Sequence, residues 1–280
     1  MKLIVQIPCY NEAETLRSVV ESIPRSIGGV DSIEVLVIDD GSSDGTSELA
    51  RSLGVEHVVR HTRNRGLAAS FATGLDACIR LGADVIVNTD GDNQYCQADI
   101  PLLIEPILQG TADIVVGDRQ VRTIPHFSQQ KKRLQAIGSW TVRMLSGTQV
   151  PDAPSGFRAF SREAALRLNI VSSYSHTLET LVQAGAKRMA VTYVPVRTNA
   201  QMRESRLFRS IGQYVQRSAA TMLRAYAMYQ PLKVFVGGGA VVALLGLVGV
   251  GLFLFYFAQG NGSGHVQSLV LSAVLLIVGF

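Results

Sequence analysis

The chain has 280 residues, enough for one large α/β domain or two small ones. It is 47% hydrophobic, and the apolar excess lies at its end, because residues 234–280 include no Asp, Glu, Lys or Arg. The net charge of +4 combines an acidic-leaning first half with basic segments at 119–143 and 205–233. Next to such an apolar end, these basic segments favour a membrane surface and argue against nucleic acid as their partner.

Apolar runs of strand length alternate with stretches of helical spacing over the first part of the chain. Strands are predicted at 3–7, 34–38, 57–60, 85–88 and 114–116, and helices at 11–23, 46–53 and 66–81. Strands that are apolar on both faces and alternate with helices are typical of a parallel sheet covered on both sides. The sequence therefore predicts an α/β fold with a mostly parallel sheet between helices.

Polar, turn-rich segments follow three of the predicted strands, at 8–12, 39–45 and 89–92. Ligands of open α/β sheets bind at the carboxyl ends of the strands. We therefore expect these three segments to meet at one edge of the sheet and to form a binding site there.

Two carboxylates in the third segment, Asp90 and Asp92, are separated by one glycine. Mg²⁺ prefers carboxylate and phosphate oxygens, and commonly takes one or two carboxylates together with substrate phosphates. A solvated acidic turn has the same pattern, so this motif alone leaves both interpretations open. Asp39 and Asp40, at a second strand end, favour a binding site, because a carboxylate in a pocket there could accept hydrogen bonds from a base or a ribose.

Four segments resemble, in order and spacing, the family 2 glycosyltransferases with the GT-A fold. These segments are 7–12 (IPCYNE), 39–46 (DDGSSDGT), 64–66 (NRG) and 90–95 (DGDNQY). Two later segments, 155–160 (SGFRAF) and 203–207 (RESRL), are similar to the polyprenyl-phosphate branch of that family, which includes dolichyl-phosphate mannose synthase. The resemblance covers residues 3–233 and the general plan of a membrane hairpin after them.

The resemblance implies roles for the polar residues at the predicted sheet edge. Asp90 and Asp92 would bind Mg²⁺ or Mn²⁺ and the diphosphate of the sugar donor. The residues that would line the nucleotide pocket are Pro8, Tyr10, Glu12, Asp39 and Asp40.

The resemblance also implies a set of residues for the phosphate groups. Arg119 would lie near the phosphate of the lipid acceptor, with Arg133 and Ser139 as candidates for the same task. Arg203 and Arg206 would close over the active site and balance phosphate charge, because a planar guanidinium offers paired donors to phosphate oxygens. The predicted catalytic residues are Asp92, Arg119 and Arg203.

The end of the chain is predicted to be a transmembrane helical hairpin. Residues 234–258 are uncharged, and at ~1.5 Å per residue they are long enough to cross a ~30 Å hydrocarbon core. A polar turn at 259–265 follows, and then a second apolar stretch from 266 that is cut short by the end of the sequence. Basic residues before the first span place the catalytic domain in the cytoplasm, in a multi-pass protein of the cell membrane.

These patterns divide the chain into a GT-A catalytic domain at 1–204, an amphipathic juxtamembrane segment at 205–233 and a transmembrane region at 234–280. Residues 205–230 combine helical amphipathic spacing with interspersed arginines, which is typical of a helix in the membrane interface. Residues 129–145 have a weaker version of the same pattern. Core helices of the globular domain are the alternative for both segments.

Together these features predict an inverting, metal-dependent glycosyltransferase. The sugar would move from a UDP- or GDP-sugar to a polyprenyl or dolichyl phosphate at the cytoplasmic membrane face. A phosphate monoester is already an anion at neutral pH, so it needs no general base to attack. The alternatives are transfer to a lipid alcohol or lipid-linked sugar with Glu179 as base, a sugar-nucleotide pyrophosphorylase, and a non-catalytic membrane-anchored scaffold. The sequence leaves open the donor base, the polyprenol length and assembly into a homo-oligomer.

Overall fold

The computed structural model describes residues 1–121, 129–171, 176–199 and 211–280. The chain divides into two compact units, Met1–Ala225 and Tyr226–Phe280. The boundaries predicted near residues 204 and 233 remain predictions. The strands are β1 (Lys2–Cys9), β2 (Ser32–Asp39), β3 (His57–Arg60), β4 (Val85–Asn88), β5 (Ile114–Asp118), β6 (Arg158–Ser161) and β7 (Val191–Pro195). The helices are α1 (Leu16–Ser22), α2 (Thr46–Ser52), α3 (Leu67–Arg80), α4 (Ile100–Leu108), α5 (Gln129–Ser146), α6 (Arg162–Arg167), α7 (His176–Ala186), α8 (Ile211–Tyr229), α9 (Pro231–Ala258) and α10 (Val266–Gly279).

The first unit is built on a seven-stranded sheet in the order β3-β2-β1-β4-β6-β5-β7. β1 is parallel to both β2 and β4, and β5 is parallel to β7. β6 lies between β4 and β5 and is antiparallel to both. The predicted α/β fold with a mostly parallel sheet is therefore confirmed, with one reversed strand, β6, fifth in the order of seven.

Apolar layers cover both faces of this sheet. Alternate residues of β1 point in opposite directions. Leu3 and Val5 join a buried cluster with Leu16 of α1, whereas Ile4 joins a second cluster with Phe71 of α3. This arrangement explains why the strands read as continuous apolar runs, since both faces of each strand are buried.

The first helix is shorter than its apolar spacing suggests. A helix is predicted at 11–23, but α1 begins at Leu16. Asn11 has a positive φ of 55°, and its Oδ1 accepts a hydrogen bond from the backbone N–H of Ser43 at 2.9 Å. Short polar side chains that bond to the backbone compete with helix formation. The segment before Leu16 is therefore a turn at the sheet edge.

Helix α5 has a buried face and an exposed apolar face. Val142 and Ser139 are buried against the domain. On the exposed face lie three large apolar side chains with exposed fractions of 61%, 55% and 68%, namely Ile137, Trp140 and Met144. The helix sequence includes no acidic residue. The interpretation of α5 as a core helix therefore explains only one of its faces.

The second unit consists of two apolar helices that pack closely. α9 has 28 residues, which at ~1.5 Å per residue is enough to cross a bilayer, whereas α10 has 14. A Cβ added at Gly239 would lie 2.5 Å from the carbonyl oxygen of Gly279, and one at Gly246 would lie 2.9 Å from that of Ser272. Small residues thus bring the two backbones together, as in packed membrane helices.

Gly185→Ala should strongly destabilise the first unit. A Cβ at Gly185, in α7, would overlap the carbonyl oxygen of Ser146 at the end of α5 and lie 2.6 Å from its carbonyl carbon. The obstacle is backbone, so we expect the free energy of unfolding to fall by about 3 kcal/mol or more, measured by thermal unfolding. Gly138→Ala is the control, because a Cβ at this helical position in α5 meets nothing within 4 Å. That change should stabilise the fold by about 0.5–1 kcal/mol, and a similar loss in both variants would contradict the steric argument.

Candidate active site

The polar segments after β1, β2 and β4 meet at the carboxyl edge of the sheet, as expected. The backbone N–H of Asp40 donates to the carbonyl oxygen of Cys9 at 2.8 Å. The hydroxyl of Thr15 donates to the carbonyl oxygen of Gly91 at 2.6 Å. Gly91 also lies against Glu12, since an added Cβ would be 3.2 Å from Glu12 Cγ. The three segments therefore form one continuous polar surface.

Asp90 and Asp92 lie in this surface, directly after β4, and both are half-buried. The backbone N–H of Gln94 donates to Asp92 Oδ1 at 3.1 Å. Burial and the neighbouring charge of Asp92 raise the pKa of Asp90 to about 7, with a further contribution from Glu12, while Arg119 opposes the rise. The two carboxylates thus repel each other, and Arg119 offsets only part of the rise in the pKa of Asp90.

This donor set fits a hard divalent cation. Among the residues that the structure describes, no group of three or more His, Cys, Asp or Glu could hold a metal ion. Mg²⁺ and similar ions commonly take one or two carboxylates and complete their coordination with substrate phosphates and water. A bound cation would relieve the repulsion between the carboxylates of Asp90 and Asp92.

Asp39 and Asp40 fix the loops around the site. Asp39 Oδ1 accepts a hydrogen bond from the backbone N–H of Ser42 at 2.8 Å, and Oδ2 is bonded to the hydroxyl of Ser47. Asp40 Oδ1 pairs with His61 Nδ1 at 2.6 Å and accepts from the backbone N–H of Arg65 at 2.9 Å. Its Oδ2 accepts from the Gly66 N–H at 2.8 Å. Asp40 therefore holds the 61–66 loop against the end of β2.

The other predicted nucleotide-binding residues are Pro8, Tyr10 and Glu12. Pro8 is buried in β1, while Tyr10 projects from the sheet edge with 44% of its surface exposed. Glu12 is half-buried, and its Oε2 accepts a hydrogen bond from the hydroxyl of Thr15 at 3.1 Å. All three lie at the same edge as Asp90, and their role in nucleotide binding remains a prediction.

Arg119, which follows β5, forms a buried ion pair. Its Nε and Nη2 donate to the two carboxylate oxygens of Asp152 at 2.7 and 3.0 Å. Gln135 Nε2, from α5, donates to the same carboxylate at 2.9 Å. Burial alone would raise the pKa of Asp152, but Arg119 more than offsets it and the pKa is lowered. The guanidinium is therefore fixed in place by Asp152, and its charge lowers the pKa of Asp90.

Residues 4–168 match the sequence profile of glycosyl transferase family 2. The chain belongs to this family. The family predicted from the four sequence motifs is therefore confirmed, and so is the glycosyltransferase class of the enzyme.

Relatives of this glycosyltransferase include two enzymes of lipid-linked sugars. It is 30% identical over 217 residues to the UDP-N-acetylglucosamine–dolichyl-phosphate N-acetylglucosaminyltransferase of Methanococcus voltae, which covers 69% of this chain and 83% of the relative. It is 29% identical over 206 residues to the polyprenol monophosphomannose synthase of Mycolicibacterium smegmatis, covering 70% and 76% of the two chains.

Solved structures with the same fold include glucosyl-3-phosphoglycerate synthase of Mycobacterium tuberculosis. Its complex with Mn²⁺, UDP-glucose and phosphoglyceric acid superimposes with a TM-score of 0.63 at 23% identity, covering 81% of this glycosyltransferase and 80% of that chain. The likeness confirms the predicted GT-A fold.

Four residues of the glycosyltransferase are predicted to bind phosphate besides Arg119. Arg203 and Arg206 are outside the described residues, and so is the side chain of Arg133. Ser139 is buried in α5, where its Oγ accepts a hydrogen bond from the backbone N–H of Ala153 at 3.2 Å. The roles given to these four residues remain predictions.

Glu179, the base in the lipid-alcohol alternative, is buried in α7. Its Oε1 accepts hydrogen bonds from the backbone N–H of Val171 at 3.0 Å and from Gln183 Nε2 at 3.3 Å. Only 2% of the surface of Glu179 is exposed, so it does not face solvent, and its role as a base remains a prediction.

The sequence motifs do not predict three residues that contact or support the site, namely Asp152, Gly156 and Arg158. Asp152 is the single acidic residue between Asp118 and Glu163, a pattern that could have marked it as a partner for a nearby arginine. Gly156 lies against Asp90, since an added Cβ would be 3.0 Å from Asp90 Oδ2. Arg158 lies two residues further on, in the motif that resembles the polyprenyl-phosphate branch, and it was given no role.

Arg158 is a fully buried guanidinium bonded to neutral oxygens. Its partners are the carbonyl oxygens of Ala153, Ser155 and Thr177 and the hydroxyl of Thr180, at 2.6–2.8 Å. Burial lowers the pKa of Arg158 to about 10, so the group stays charged at neutral pH. It therefore ties the 153–158 loop, which underlies Asp90, to the start of α7.

Proposed function

We propose that this glycosyltransferase moves a sugar from a UDP- or GDP-sugar to a polyprenyl or dolichyl phosphate, with inversion, at the cytoplasmic face of the membrane. The observation that carries the proposal is the position of Asp90 and Asp92 at the carboxyl edge of the sheet, with the fixed guanidinium of Arg119 close enough to lower the pKa of Asp90. The carboxylates suit a cation that binds a diphosphate, and the guanidinium suits an anionic acceptor.

Asp90 and Asp92 would hold Mg²⁺ or Mn²⁺ together with the donor diphosphate. A bound divalent cation stabilises negative charge that develops on phosphate oxygens. The raised pKa of Asp90, to which the neighbouring charge of Asp92 contributes, supports this assignment, because a bound cation would favour the ionised form of both carboxyls.

The acceptor phosphate would be oriented by Arg119. A phosphate monoester carries its own negative charge, so attack on the anomeric carbon needs no general base. Arg119 is held rigidly by Asp152, which reduces the entropy lost when an anion binds beside it. One displacement without a covalent enzyme intermediate inverts the anomeric configuration. One relative is named a dolichyl-phosphate N-acetylglucosaminyltransferase and the other a polyprenol monophosphomannose synthase, and both names support this class of acceptor.

Two features of the chain support a membrane location, the apolar helices α9 and α10 and the exposed face of α5. α9 is long and apolar enough to cross a bilayer, and α10 would form the second limb of a multi-pass anchor. The exposed apolar face of α5, formed by Ile137, Trp140 and Met144, lies on a helix that carries basic and no acidic residues. Such a face suits the interface of an anionic bilayer.

Metal affinity should fall as the pH is lowered. Because the pKa of Asp90 is about 7, this carboxyl is mostly protonated below that pH, and a cation must displace the proton. We expect Mn²⁺ to bind about tenfold more weakly at pH 6 than at pH 8, measured by electron paramagnetic resonance of free Mn²⁺ with UDP present. Equal affinity at the two pH values would contradict the assignment of Asp90 as a ligand.

The reaction itself can be tested with the membrane-embedded chain. It would be incubated with Mg²⁺ or Mn²⁺, undecaprenyl and dolichyl phosphates, and a panel of radiolabelled UDP- and GDP-sugars. Label that enters an acid-labile lipid fraction and is lost with EDTA would support the proposal and identify the donor. Folded protein that transfers label to a lipid alcohol, or to no lipid at all, would overturn it.

A further inference from the structure

A short segment after β7 runs beside the loop that follows Asp92. We call this segment, Arg197–Asn199, the strap. The backbone N–H of Cys96 donates to the carbonyl oxygen of Arg197 at 3.2 Å, and that of Asn199 donates to the carbonyl oxygen of Gln94 at 2.9 Å. Tyr95 and Thr198 form an antiparallel bridge between these bonds. The strap therefore pairs with the loop as a short strand would.

The strap is anchored outside the loop by Asp99, which is buried where the 3₁₀ turn Gln97–Asp99 leads into α4. The backbone N–H of Arg197 donates to Asp99 Oδ2 at 2.7 Å. The guanidinium of Arg197 donates to Asp99 Oδ1 from Nη2 at 2.5 Å and from Nε at 3.0 Å. The position of the strap is thus fixed by the domain, independently of the contacts that it makes with the loop.

The side chain of Asn199 bonds to both ends of the turn beyond Asp92. Its Nδ2 donates to the carbonyl oxygens of Asn93 and Tyr95, each at 3.0 Å, and lies 3.3 Å from Asn93 Oδ1. Asn93 has a positive φ of 58°, a conformation that costs energy for a residue other than glycine. Inside this turn, the Gln94 N–H donates to Asp92 Oδ1. One amide therefore stabilises a strained turn whose backbone orients the Asp92 carboxylate.

We propose that Asn199 is a positioning residue for the metal site, acting on Asp92 through the 93–95 turn. This inference rests on the proposed function, because it takes Asp92 to be a metal ligand. Asn199 bonds to Asn93 and Tyr95, and the Gln94 N–H between them donates to Asp92, so the effect of Asn199 on Asp92 passes through the turn. Residues that orient metal ligands typically contribute about 10- to 100-fold to metal affinity.

The test measures the affinity of the full chain for Mn²⁺, once with UDP present and once with GDP. Electron paramagnetic resonance detects the Mn²⁺ that stays free. Asn199→Ala removes the donors, and Asn199→Asp places a carboxylate against three oxygens. We expect both to weaken Mn²⁺ binding by about 10-fold or more. The metal-free protein should unfold at the wild-type temperature, because Asn199 is exposed. Transfer activity should recover at saturating Mn²⁺. Thr198→Ala is the control, since the bridge of Thr198 is made by its backbone.

Mn²⁺ affinities within about twofold of wild type in both Asn199 variants would overturn the inference. Asp92→Asn, measured alongside, separates this failure from that of the proposed function. If Asp92→Asn loses Mn²⁺ binding while the Asn199 variants keep it, the metal site stands and the role of Asn199 is wrong. If Asp92→Asn binds Mn²⁺ as the wild type does, the proposed metal site fails and the inference fails with it.

Discussion

Asp92→Asn is expected to abolish sugar transfer while leaving the fold intact. Asparagine keeps the size of the side chain and an acceptor for the Gln94 N–H, but it removes one of the two charges available to a cation. We expect initial rates of label transfer to lipid to fall by about 10³-fold or more, equivalent to about 4 kcal/mol of transition-state stabilisation. The loss of one of two repelling charges should not lower the thermal unfolding temperature.

Asp76→Asn is the matched control for this experiment. Asp76 is an exposed aspartate on α3 that pairs with Arg80, one turn along the same helix. Surface pairs of this kind contribute little, so the rate should stay close to that of the wild type. If Asp92→Asn retained more than about a tenth of the wild-type rate, the metal-assisted reaction would be the wrong one.

Arg119→Ala is expected to reduce both stability and activity. Asp152 would be left as a buried carboxylate without its guanidinium, and removing one partner of a buried pair costs about 3–5 kcal/mol of unfolding free energy. The pair stabilises the fold above the ordinary pKa of an aspartate, and that contribution is lost as the pH falls through the lowered pKa of Asp152. Thermal unfolding at neutral pH measures the loss.

A double variant separates the two roles of Arg119. Replacing a buried ion pair by apolar residues of similar size is often neutral for stability, so Arg119→Met with Asp152→Leu should regain most of the unfolding temperature. Activity should stay low, because the positive charge beside Asp90 is still missing. Arg80→Ala, which breaks an exposed pair, should change stability by less than about 1 kcal/mol. Recovery of activity together with stability would show that Arg119 is only structural.

The sequence predicts those elements of the fold that depend on the spacing of neighbouring residues. β1, β2 and β4 are apolar runs followed by polar, turn-rich segments, so their position and the meeting of their carboxyl ends follow from spacing. The same logic locates Asp90 and Asp92. It fails at Asn11, where apolar spacing favours a helix but side-chain bonds to the 42–46 segment hold a turn.

Long-range pairing accounts for most of what the sequence does not reveal. β6 is only four residues long, and its antiparallel insertion between β4 and β5 depends on partners far along the chain. The Arg119–Asp152 pair and the Asn199 amide are also contacts between distant segments. The periodicity of a sequence does not encode which distant segments meet, so the residues that support the site follow from the sheet order and not from local spacing.

The position of β6 has a consequence for biosynthesis. β5 ends at Asp118, but its place in the sheet is next to β6, which begins at Arg158. While the chain emerges from the ribosome, β4 and β5 each present an unpaired edge until residue 161 is available, and unpaired edges of partly folded chains favour aggregation. Asp90 follows β4 and Arg119 follows β5, so these two residues of the proposed active site come together only when this late strand inserts. Truncated chains that end before residue 158 should therefore accumulate as aggregates, and the nascent protein should depend on chaperones over this interval.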